Sequence, residues 1–210
     1  VVLALAGIGK VAAATTATVL VERFAAERIV FTGVAGGLGD GVQVGDVVVA
    51  QALLQHDMDA SPLFPRFEVP LYGRSHFAAD AALTAILLEA AIAYCAGAEG
   101  QLGPEKVTLF GLKKVQAHHG LLVAGDRFVA TAAESHALRS ALPGVLAVDM
   151  ESAAVAQVCF DYHIPFAAVR TISDRADDAA HVDFPLFLAQ LAAPYAQGII
   201  GKFLHLLLKK

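Results

Sequence analysis

The stretch VLAVDMESAAVAQVCFDYHIPFAAVRTISD, residues Val145–Asp174, alternates strand, helix and strand. Val145–Val148 is a short apolar run and reads as a buried strand. Glu151–Tyr162 reads as a helix. Pro165–Ile172 is the strand after it, apolar over Phe166–Val169. Both strands end in polar residues, Asp149-Met150-Glu151 in one case and Ser173-Asp174 in the other.

The same alternation extends in both directions. Val1–Ala6 reads as a strand running into the turn Gly7-Ile8-Gly9, and Lys10–Phe24 as an Ala-rich helix. Arg28–Thr32 and Val47–Ala50 are strands, with Gly33-Val34-Ala35-Gly36-Gly37 between them. His56–Tyr72, with its prolines and no clean period, is a long loop of the kind that carries function or an interface. Asp80–Cys95 is a helix, Ala96–Pro104 a linker, Lys106–Phe110 a short strand and Val115–Ala124 a longer one. Thr131–Leu142 is helical, with Thr131 and Glu134 at capping-box spacing. Phe184–Leu207 is a C-terminal helix, kinked at Pro194. Strands alternating with helices predict one α/β domain over residues 1–210, a three-layer αβα arrangement around a mostly parallel sheet.

Composition removes several classes. Of 210 residues, 57% are hydrophobic, which excludes intrinsic disorder. The mean hydropathy of +0.60 raises the question of a membrane. A spanning helix needs about 20 apolar residues with few charges, and every long apolar run here is interrupted. Fifteen Lys and Arg against 20 Asp and Glu give a net charge of −5, and no basic block appears, so no nucleic-acid surface is expected. Cys95 and Cys159 stand far apart, which predicts reduced core thiols and a cytoplasmic setting. No basic leader precedes the first apolar run, and the chain opens on Val1 without a Met.

Ligands of parallel α/β sheets bind beyond the carboxyl ends of strands. Asp174 follows an apolar strand; there it is either a turn or cap carboxylate or a desolvated general acid. Glu151 opens a helix; it either complements the macrodipole or grips vicinal hydroxyls such as those of a ribose. Gly7–Gly9 and Gly33–Gly37 lack the dinucleotide fingerprint, and Gly7-Ile8-Gly9-Lys10 is not a phosphate loop. His118-His119 and His56-Asp57-Met58-Asp59 put neighbouring side chains on opposite sides of an extended segment. No metal site is expected.

An ordered set of motifs resembles the methylthioadenosine/S-adenosylhomocysteine nucleosidase family, of nucleoside phosphorylase-like fold. It comprises GIGKVAAA (Gly7–Ala14), TGVAGGL (Thr32–Leu38), VGDVVVA (Val44–Ala50), HDMD (His56–Asp59), AGDRF (Ala124–Phe128), AVDMESAAVAQVC (Ala147–Cys159) and IPFAAVRTISDRAD (Ile164–Asp177). The resemblance implies hydrolysis of the N-glycosidic bond of a small-molecule nucleoside, with adenine released and no cofactor. It implies that Asp174 protonates N7 of the purine, with Ser173 orienting it. Glu151 would hold the ribose hydroxyls, Met150 would pack under the sugar, and Arg170 would lie near the attacking water. Phe128 would stack on the adenine and the Val129 backbone would read its edge, with Ala35 and Gly36 lining the base. Ile8 and Phe184 would wall the 5′-substituent. Leu63 and Phe64 would close the pocket of a neighbouring subunit in a homodimer.

The sequence departs from the family pattern in two ways. The family has an N-terminal strand and an acidic segment whose Glu activates the water. Here Val1 falls at the strand before GIGK, and Glu22 lies inside a helix. That carboxylate is therefore expected outside these residues, and its missing strand should leave an edge unpaired. Val34 stands where the family often has Ser, and it cannot donate a hydrogen bond. A non-catalytic nucleoside-binding homologue and a purine nucleoside phosphorylase are the alternatives, the latter disfavoured by Val34.

Overall fold

A strand buried on both faces reads as a near-continuous apolar run, and one buried on a single face as alternating apolar and polar residues. Residues 166–174 are buried throughout. In the computed structural model, which describes residues 1–112 and 114–209, they form the strand around which the rest is arranged. The elements in chain order are α1 (Lys10–Phe24), β1 (Ile29–Gly37), β2 (Val47–Gln55), β3 (His76–Ala78), α2 (Ala81–Cys95), α3 (Ala98–Leu102), α4 (Pro104–Leu109), β4 (Ala117–Ala124), α5 (Ala132–Ala141), β5 (Val145–Asp149), α6 (Ser152–Asp161), β6 (Phe166–Asp174), α7 (Ala180–Gln190) and α8 (Ala192–Leu207).

The sheet has the order β3-β2-β4-β5-β1-β6, and β2 also pairs with β6. Five strands therefore close into a ring, with β3 added outside on β2. The long ladders, β1–β6, β2–β4 and β4–β5, are parallel. Short antiparallel contacts, β1–β5 and β2–β6, complete the closure. Bulges at Ala35/Gly36 and between Ala50 and Ala52 supply the local bending that closure needs. The α/β, mostly parallel, nucleoside phosphorylase-like fold is present, and its sheet is closed.

Side-chain alternation sends β6 into two cores. Phe166, Ala168 and Ile172 join Ala13 and Ala17 of α1 and Ala153, Ala156 and Cys159 of α6. Ala167 and Val169 join Leu87, Ala91 and Tyr94 of α2 and Tyr195, Ile199 and Phe203 of α8. Helices thus cover the sheet on two sides. The capping box holds α5, with the Glu134 amide on Thr131 Oγ1 at 3.2 Å and the Ala130 amide on Glu134 Oε2 at 3.2 Å. Among the described residues no helix is long and apolar enough to cross a membrane.

Four expectations are corrected. Val1–Ala6 is irregular chain, with Val1, Leu3 and Leu5 exposed, because no described strand lies beside it to form a ladder. Lys106–Phe110 is not a strand; Pro104 sits in the first turn of α4, where its missing N–H costs nothing. The linker 96–104 contains α3. The C-terminal segment is two helices that break at Leu191, where φ is −120° and ψ −30°. Pro194 lies in the first turn of α8 and starts that helix instead of kinking it.

The α2–α8 contact rests on a missing side chain. A Cβ on Gly198 would lie 2.1 Å from Tyr94 Cε2, whereas Gly201 in the same helix has open space. Gly198→Ala should therefore destabilise by about 1–3 kcal/mol through overpacking. Gly201→Ala should stabilise by up to about 1 kcal/mol through helix propensity. Urea unfolding of the two variants checks the opposite signs.

Candidate active site

Three strands end at one place. Gly33 sits beside Arg170 in the β1–β6 ladder, and past the bulge Gly36 sits beside Asp174. On its other side Gly36 pairs with Val148, one residue before Asp149. The carboxyl ends of β1, β5 and β6 converge, as the strand-end rule requires.

Asp174 is 2% exposed. Its Oδ1 accepts the Ala176 amide at 2.8 Å and its Oδ2 accepts the Ser173 hydroxyl at 2.8 Å. Ser173 Oγ also lies 3.3 Å from the Ala35 carbonyl oxygen. A Cβ on Gly36 would fall 3.0 Å from Asp174 Oδ1, so the backbone of β1 passes close to the carboxyl. Burial pushes the Asp174 pKa above the ordinary carboxylate range. The Ser173 and Ala176 hydrogen bonds oppose this, and the charges of Asp177 and Asp183 reinforce it.

Arg170 holds the second half of the site. Its Nε donates to Asp149 Oδ2 at 2.6 Å, and its Nη2 lies 3.5 Å from Glu151 Oε2. The guanidinium stacks 4.3 Å from the Phe31 ring centroid. Its Nη1 fills the space where a Cβ on Gly33 would be, 1.7 Å away. Among the described residues the buried Nη2 has no hydrogen-bond partner. Glu151 Oε1 accepts the Gly9 amide at 2.9 Å. Burial raises the Glu151 pKa, opposed by Gly9 and Arg170 and assisted by Asp149.

The remaining expected residues fall into three groups. Phe128 and Phe184 meet edge to face with ring centroids 5.5 Å apart, and Val129 is buried in one cluster with Ala176. Ala35 and Gly36 are buried beside Asp174, and Met150 is half-buried between Asp149 and Glu151. Ile8 is 78% exposed next to Gly9, and Leu63 is 85% exposed in the 56–72 loop near half-buried Phe64. The Leu63 and Phe64 amides both donate to the Ala60 carbonyl within that loop. Val34 packs beside Val30 against the α2–α8 core. Two surface grooves of about 320 and 400 Å³ lie elsewhere, between α2 and α8 and around Asp46 and Arg175.

Residues 1–205 match the family model described as the phosphorylase superfamily. A 5'-methylthioadenosine/S-adenosylhomocysteine nucleosidase of Bacillus thuringiensis (strain Al Hakam) is 36% identical over 206 residues, 98% of this chain and 80% of that protein. The chain belongs to the methylthioadenosine/S-adenosylhomocysteine nucleosidase family. Its fold agrees with a solved nucleosidase of this family from Neisseria meningitidis, in complex with methylthio-immucillin-A. That match has a TM-score of 0.81 and 34% identity, covering 96% of this chain and 79% of the other. A Colwellia psychrerythraea 34H nucleosidase in complex with adenine matches with a TM-score of 0.80 at 29% identity, covering 96% and 76%.

The motif reading of this nucleosidase-family chain passed over two contributors. Asp149 accepts the Arg170 Nε, and its Oδ1 also takes the Ser152 amide at 3.0 Å and the Ser152 hydroxyl at 2.9 Å. The Asp149–Ser152 spacing was a visible capping signal. The Gly9 amide had no comparable signal, because a backbone donor is silent in sequence.

Because folding favours the protonated form of Asp174, its contribution to stability is full at low pH and is lost as pH rises through the raised value. Asp174→Asn removes the buried charge at neutral pH. Its thermal midpoint at pH 7 should exceed that of the parent, and the gap should close below about pH 4, where the carboxyl is protonated even when unfolded. Calorimetry across that range checks the sign.

Proposed function

We propose that this protein hydrolyses the N-glycosidic bond of 5'-methylthioadenosine and S-adenosylhomocysteine, releasing adenine and a 5-thio-substituted ribose. Two carboxyls at converging strand ends carry this proposal: buried Asp174 backed by a hydroxyl, and half-buried Glu151 backed by a guanidinium. Names and complexes of the family members support it.

The C1'–N9 bond breaks with its electron pair leaving on adenine, while positive charge develops on the sugar. Asp174 delivers its proton to N7, so the base departs neutral. Such general acid help is worth about 10²–10⁴-fold. Burial shifts this carboxyl toward its protonated form, which suits that step. Glu151, ionised, accepts hydrogen bonds from the ribose hydroxyls, and these strengthen as the sugar gains charge. Arg170 keeps Glu151 oriented, and its unpartnered Nη2 offers a donor to the sugar or the incoming water. The water oxygen bonds to C1' as its proton passes to solvent, and Asp174 regains a proton from solvent before the next turnover. Phe128 and Phe184 supply an aromatic wall, with Val129, Met150, Ala35, Gly36 and Ile8 completing the base, sugar and 5' sides.

Hydrolysis is favoured over phosphorolysis. Val34 offers no donor to an anion. We further propose a homodimer in which Leu63 and Phe64 of each subunit cover the other's site. Exposed Ile8, Val11, Leu63 and Leu71 support such an interface. Two free cysteines suit a cytoplasmic setting.

Adenine release from 5'-methylthioadenosine in phosphate-free buffer tests the proposal. Turnover should not need phosphate. Asp174→Asn should lower kcat by about 10²–10⁴-fold with KM little changed. Glu151→Gln should raise KM and slow the chemistry together. An unchanged rate in Asp174→Asn would sink the proposed acid.

A further inference from the structure

Outside the strand-end residues, three polar side chains from three separate segments close a ring. Lys10 Nζ donates to Asp57 Oδ1 at 2.7 Å and to Gln55 Oε1 at 3.1 Å. Asp57 Oδ2 accepts the Asp126 amide at 2.8 Å. Asp126 Oδ1 in turn accepts the Lys10 amide at 2.7 Å. The start of α1, the loop after β2 and the loop after β4 are thereby tied together. Gln55 Nε2 extends the tie to Gln157 Oε1 of α6 at 2.6 Å.

The ring sits one residue from a group that matters to Glu151. Gly9 precedes Lys10, and its amide donates to Glu151 Oε1. Gly7 and Gly9 both have positive φ, 74° and 90°, a backbone free to adopt many conformations. Ahead of them, residues 1–6 have no ladder. Gly9 is therefore held in place from its C-terminal side, by the contacts of Lys10. The other arm of the ring, Asp126, leads directly into Phe128 and Val129.

We infer that Lys10, Asp57 and Asp126 form a positioning strap that fixes the Gly9 amide under Glu151 and sets the sugar-binding carboxylate relative to the loop carrying Phe128. The ion pair is only partly shielded, with side chains 18% and 29% exposed, so its value lies in geometry more than in stability. Asp57 stays ionised at neutral pH. Burial raises its pKa, but the Lys10 hydrogen bond, the Asp126 amide and the Lys10 and His56 charges together bring it below the ordinary range.

The kinetic consequence rests on the nucleosidase proposal; the structural one does not. Hydrogen exchange and turnover of Asp57→Ala, Asp57→Asn and the parent separate them. In Asp57→Ala the Gly9, Lys10 and Asp126 amides should exchange at least tenfold faster, with β6 and α2 unchanged. KM for 5'-methylthioadenosine should rise about tenfold, more than kcat falls. Asp57→Asn keeps an acceptor for the Asp126 amide and should fall between. Unchanged Gly9 exchange in Asp57→Ala, or a rise shared evenly with β6 and α2, overturns the strap. A parent protein without turnover would defeat the proposed function, and the exchange pattern would still decide the strap.

Discussion

A permanent positive charge in the middle of a fully buried strand is the constraint on which the site depends. Arg170 cannot lose its proton, and its side chain is 3% exposed. A buried charge stripped of one partner typically costs about 3–5 kcal/mol. Arg170 therefore dictates its neighbours. It requires an acceptor at the end of β5, which Asp149 supplies, and an aromatic face on β1, which Phe31 supplies. It also requires that residue 33 carry no side chain at all. Positions on two neighbouring strands, β1 and β5, are thus set by one guanidinium.

The same cation explains how the entry to α6 is divided between two acids. A helix start leaves amides unpaired. Asp149, three residues before Ser152, takes the Glu151 and Ser152 amides as well as the Ser152 hydroxyl. Glu151 is thereby relieved of capping and turns its carboxylate outward to Gly9 and Arg170. Ring closure of the sheet then matters, because the short β1–β5 pairing at Gly36 and Gly37 brings this carboxylate to the strand end that carries Asp174.

Much of this was legible in the sequence. Continuous apolar runs ending in polar residues located β5 and β6; the strand-end rule picked out Glu151 and Asp174, and Arg170 came from the family resemblance. Elements whose form depends on distant partners were not legible. Val1–Ala6 has a strand's composition, but a strand needs a neighbour to pair with. Lys106–Phe110 is β-like residue by residue, yet Pro104 starts a helix there. The Lys10–Asp126 and Lys10–Asp57 contacts join residues 116 and 47 positions apart, and no local pattern signals them.

Burial raises the pKa of both Asp174 and Glu151, yet the proposed cycle needs one protonated and the other ionised. The surroundings resolve this. Glu151 faces a guanidinium and a backbone amide, both of which favour its charge. Asp174 lies near two further acids, Asp177 and Asp183, whose charges favour its neutral form. Environments that push two carboxyls apart are how acid and base roles are assigned at neutral pH. In the proposed cycle, Ser173 lets Asp174 pass between its two states. The hydroxyl has one proton and two acceptors in reach, Asp174 Oδ2 at 2.8 Å and the Ala35 carbonyl at 3.3 Å. It donates to the carboxylate once the proton has gone to the base, and it can rotate to Ala35 when the carboxyl is protonated. Neither state of the acid leaves the buried hydroxyl without a partner, so the proton can leave and return without the penalty that an unsatisfied buried group would impose.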